Sequence, residues 1–128
     1  MAPNDRPPAP VLSRRALNRA TLARQLLLER AALPAADAVG RLAGLQAQVP
    51  NPPYLGLWSR LEGFRREELT AALERREVVR AAAMRSTLHL LPAADYLARF
   101  PAIQPALARA LRAFFGRKAA GLDTAALV

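Results

Sequence analysis

A single β-like patch, residues 78–83 and 86–91, interrupts a chain otherwise patterned for helices, and so limits any sheet to little more than a hairpin. In its second run Leu88 and Leu90 share one face, while Arg85, Thr87 and His89 share the other. That polar face reads as wing surface able to meet a phosphate or a groove edge. A strand face that merely points at solvent would carry the same pattern. At 128 residues the chain can build one core of ordinary size but not two comfortable domains.

The flanking segments read as helices. Asn18 is placed to cap one over 19–29, after an extended stretch at 11–17, with Leu22, Leu26 and Leu27 turned inward. Leu33-Pro34 opens a second, whose stripe is Ala38, Val39, Leu42 and Leu45. Pro50-Asn51-Pro52-Pro53 stops it, because a residue before proline avoids the helical region. A third helix over 54–61 carries Trp58, expected with Tyr54 to pack in the core rather than to stack on a base. A fourth spans 66–75, with Leu69, Ala72 and Leu73 inward. Two more are expected over 93–99 and 103–115, and Asp123 reads as the cap of another. The expected class is mainly α with a small β component (α+β), a winged helix-turn-helix unit with a β-hairpin.

Charge narrows the partners. The net charge is +9, and all nineteen basic residues except Lys118 are arginine. Arginine forks onto phosphates and guanine edges, so a polyanion partner is favoured. GC-rich codons would also favour arginine over lysine, but they leave the net excess unexplained. No run of 18 apolar residues is present, and residues 1–10 lack the apolar stretch of a secretory signal. A soluble cytoplasmic, nucleoid-associated monomer is expected. With no cysteine and one histidine, neither a metal cage nor any cofactor is expected.

Gln46 and Gln48 invite attention. On a helix, residues two apart diverge; on an extended segment they point the same way. Pro50 forces Val49 out of the helical region, so an extended exit over 46–49 would bring two uncharged amides to one side. The alternative is a helix end capped by Gln46, with Gln48 in solvent. His89 fits a structural hydrogen-bonding role better than that of a general base.

Two stretches go beyond pattern. One is Leu45-Gln46-Ala47-Gln48-Val49-Pro50-Asn51-Pro52-Pro53-Tyr54, continuing into Leu57-Trp58-Ser59-Arg60-Leu61; the other is Met84-Arg85-Ser86-Thr87-Leu88-His89-Leu90. Together they resemble the winged-helix DNA glycosylases of the AlkZ and YcaQ type, over residues 11–122. The resemblance implies tandem winged-helix units around a basic, concave duplex-binding surface. It also implies hydrolysis of the bond between deoxyribose and an N3- or N7-alkylated, even crosslinked, purine. The family's signature of Gln, an apolar residue, then Gln or Asp falls on Gln46, Ala47 and Gln48, the catalytic candidates. Arg60, Arg80, Arg85, Thr87 and His89 are the candidates for DNA contact, the expected partner being double-stranded, preferably alkylated DNA.

Two departures stand out: Ala47 is smaller than the expected apolar residue, and Ser86 stands where glycine is common. The expected organisation is a disordered Pro-rich arm at 1–10, a first winged-helix unit at 11–91 and the helical start of a second at 92–128. A chain ending there should expose apolar surface near Phe114, Phe115, Leu122 and Leu127. Two other readings compete: a noncatalytic winged-helix DNA-binding module or regulator, and a partner-binding helical domain.

Overall fold

The computed structural model describes residues 11–116. The arm at 1–10, Asp123, Leu122 and Leu127 lie outside them. Helix α1 spans Arg14–Arg24, earlier than the residue pattern suggests. Ser13, not Asn18, is its cap, accepting from the Ala16 N–H at 3.2 Å. No residue of α1 is buried. Leu22 and Leu27 are exposed, and only Leu26, beyond the helix end, reaches the core.

The winged unit follows: α2 (Ala35–Arg41), β1 (Leu45–Gln46), α3 (Pro52–Trp58), α4 (Arg66–Glu74), β2 (Val78–Ala82) and β3 (Leu88–Pro92). The strands form one antiparallel sheet in the order β1-β3-β2. Thus β3 lies in the middle, paired on both edges, and β1 is a third strand that the hairpin pattern alone does not announce. Helix α3 packs against β1, and α4 against α2 and β2. Pro52 and Pro53 start α3, where missing N–H groups cost nothing. Glu68 reaches back to the Arg65 N–H at 2.9 Å to start α4.

Val39, Leu57, Leu61, Leu69 and Val78 are fully buried between the helices and the sheet, joined by Ala38, Ala47 and Leu90. Three helices end alike. Leu26, Ala43 and Arg76 take positive φ (55°, 58° and 58°), and the next N–H turns back onto the helix, as in Gly44 to the Val39 carbonyl at 2.9 Å. Gly44 itself, at φ 105°, lies against β3: a Cβ there would sit 2.8 Å from the Leu91 side chain. The chain between α2 and β1 therefore passes only with glycine.

The expected pair of C-terminal helices is one helix, α5 (Ala93–Phe115), with Pro101 and Pro105 inside it. Both prolines face solvent, so the carbonyls they leave free, at Leu97 and Pro101, are open to water. The helix packs across β2, β3 and the turn between them. Phe114 and Phe115 are exposed, as the sequence suggests.

Candidate active site

The two glutamines sit where β1 runs out. Exposure alternates along the segment: Gln46 is exposed, Ala47 is 1% exposed, and Gln48 is exposed again. Extended backbone therefore turns both amides out and the small residue into the core. Residues two apart on such a segment lie about 7 Å apart. Helix α2 ends at Arg41 with Leu42 as its C-cap, so Gln46 caps no helix. Its amide makes no hydrogen bond with the described residues, whereas the Gln48 Oε1 accepts from the Leu88 N–H at 3.1 Å.

Register carries the arrangement across the sheet. Gln46 pairs with His89, and His89 with Ala81, so the three share one face. Leu45, Leu90 and Arg80 share the other. From that face Arg80 donates through Nε to the Ala47 carbonyl at 2.8 Å, and through Nη2 to the Gln48 carbonyl at 3.1 Å.

The wing departs from the sequence reading at one residue. His89 is not on a solvent face. It is buried at 7% exposure, because β3 has a strand on each side and α5 against it. Its Nδ1 lies 2.9 Å from the Thr87 carbonyl, a structural bond. Thr87 is half-buried, and its hydroxyl donates to the Met84 carbonyl at 3.0 Å, closing the turn. Arg85 is exposed at the tip. Arg85 and Ser86 both have positive φ, 53° and 58°, which is the geometry of a tight hairpin turn that favours glycine. The glycine expected at Ser86 would relieve strain there.

Arg60 is committed elsewhere. It donates through Nε to the Gln25 carbonyl at 2.9 Å and through Nη1 to the Gly56 carbonyl at 2.8 Å, tying the end of α1 to α3. Trp58 does not pack in the core: it is 57% exposed, with the Arg30 guanidinium 5.0 Å from its ring centre. Tyr54 does pack against the core, and Arg66 covers its ring at 4.7 Å.

The AlkZ-like family, described as DNA glycosylase AlkZ-like, matches residues 39–128. The chain belongs to this family. A solved structure, the DNA glycosylase AlkZ of Streptomyces sahachiroi, is similar at 38% identity and a TM-score of 0.52. The match covers 56% of this chain and 19% of that one, so this AlkZ-like chain spans about a fifth of the length of that glycosylase. A comparison with curated protein sequences finds no match.

In this AlkZ-like chain the structure brings Gln46, Gln48, Arg80, Thr87 and His89 to one sheet, with Arg85 at its wing and Arg60 apart. Sequence reasoning missed that Arg80 grips the motif. The signal available was only an arginine in an apolar strand, which has many uses.

Proposed function

We propose that the chain is the glutamine-bearing unit of a monofunctional DNA glycosylase for N3- and N7-alkylated purines. The observation that carries this is the pair of outward, uncharged amides flanking a buried Ala47. An alkylated purine is already cationic and leaves as a neutral base, so cleavage of its bond to C1′ needs no general acid. Two tasks remain: to hold the water whose oxygen adds to C1′, and to stabilise the oxocarbenium-like sugar. The free Gln46 oxygen and the second lone pair of Gln48 Oε1 suit both, and the water's proton goes to solvent. The site calls for no cofactor.

A noncatalytic reader would present a helix to the groove, and α4 is the one that follows α3 in the order of a winged unit. Within Arg66–Glu74, however, three glutamates outnumber one arginine. The charge there disfavours phosphate approach, whereas Arg85 at the wing tip favours it. Binding to duplex DNA is expected to weaken steeply with salt through counterion release, and Arg85→Glu to cost affinity while circular dichroism stays unchanged. Filter binding at two salt concentrations measures both, and a flat response would remove nucleic acid as the partner.

The deciding assay is release of N7-methylguanine from alkylated duplex DNA, by this chain alone and within a longer polypeptide. Release from alkylated but not from uracil-containing duplex is the expected result. Efficient uracil release would overturn the mechanism, since a neutral base leaves only with help that two amides do not give.

A further inference from the structure

We propose that Arg80 is a positioning residue that fixes the Gln48 amide by taking the Ala47 carbonyl away from the sheet; its catalytic consequence rests on the glycosylase reading above. In a regular antiparallel ladder, two residues of a hydrogen-bonded pair exchange both of their bonds. Ala47 and Leu88 occupy such a pair, next in register after Gln46 and His89. They keep only one bond, from the Ala47 N–H to the Leu88 carbonyl at 2.7 Å. The return bond is split. The Leu88 N–H goes to Gln48 Oε1 at 3.1 Å, and the Ala47 carbonyl goes to Arg80 Nε at 2.8 Å.

The substitution demands an arginine. Arg80 starts on β2, with β3 between it and β1, so its side chain must cross a strand to arrive. There it bridges two successive carbonyls, of Ala47 and Gln48, with two N–H groups held in one plane. A lysine ammonium carries the same charge but has no such rigid fork.

The consequence falls on Gln48. A backbone N–H can only donate, so the Gln48 atom facing Leu88 is the carbonyl oxygen. The NH₂ group and the second lone pair of that oxygen therefore face outward in a fixed orientation. Without the guanidinium, the Ala47 carbonyl and the Leu88 N–H close the ladder, and the Gln48 amide swings free. Arg80 also has no carboxylate partner among the described residues, so its charge remains available to a phosphate passing the motif.

The test pairs a spectroscopic cycle with kinetics. In the parent chain, Gln48→Ala is expected to shift the Leu88 amide proton, because its acceptor is gone. In the Arg80→Ala and Arg80→Lys backgrounds the same change should leave that proton in place. An equal shift in all three backgrounds would overturn the proposal. On alkylated duplex, Arg80→Lys should lower kcat on the order of tenfold, a loss typical of a displaced group, with KM and DNA affinity held. Parental kcat in Arg80→Lys would overturn the catalytic consequence. If neither the parent chain nor the longer polypeptide excises anything, the glycosylase reading fails, and the amide-proton cycle still decides whether Arg80 fixes Gln48.

Discussion

Gln48→Ala is expected to lower alkylpurine excision on the order of 10²-fold, the usual loss for one positioned polar group. Its side chain supplies both an outward face and an inward bond to the Leu88 N–H, so the substitution removes a contact and its mount together. Affinity for duplex DNA should hardly move, since the change removes no positive charge. Gln48→Asp keeps or raises activity, because a carboxylate is a stronger base and a counter-charge for the sugar cation. Neither amide titrates, so the parental rate is expected to stay nearly level between about pH 6 and pH 8. Single-turnover assays on duplex carrying N7-methylguanine measure all of these. Full activity in a chain lacking both glutamines would reduce the pair to a strand end.

Leu57→Ala is expected to destabilise the fold by about 3 kcal/mol, within the range for emptying a closed leucine site. Leu57 is fully buried on α3, and α3 packs directly against β1, the strand that carries the glutamines. The loss should therefore appear in excision at physiological temperature as well as in urea denaturation. Leu55, two residues earlier on the same helix, is 68% exposed and provides the control. Its change to alanine should stay within about 0.5 kcal/mol. Equal effects at the two positions would contradict the packing described for α3.

Much of this arrangement could be read from residue types. The prolines after Val49 announce the extended exit, and the inward positions Val39, Leu69 and Ala72 follow from helical spacing. The hairpin was legible for the same reason, since two-residue alternation has few other causes. Helix ends were not. Leu26, Ala43 and Arg76 hold the left-handed positions that glycine usually marks, so nothing in their chemistry announces a stop. Asn18 was a misleading cap because Ser13, five residues earlier, satisfies the same need first. His89 was placed outward by alternation alone. Its burial depends on α5 and on β1, a two-residue strand too short to leave a pattern. Trp58 was placed inward by its position on a helix, but Leu57 beside it fills that place. In the site, the glutamines were visible as a spaced pair. The grip of Arg80 was not, because it joins residues 33 apart and depends on the strand order.

The alternation at residues 46–48 also makes the chemistry sensitive to strand slippage. Shifting β1 by one residue against β3 would send every side chain of the segment to the opposite face. Ala47 would then look out to solvent, and two unsatisfied amides would enter the space it now fills among the leucines. Burying such groups without partners costs on the order of 1–3 kcal/mol each. The residues offered to substrate thus penalise the misaligned sheet. A single alanine between two glutamines serves as a lock on alignment as well as a spacer in the site.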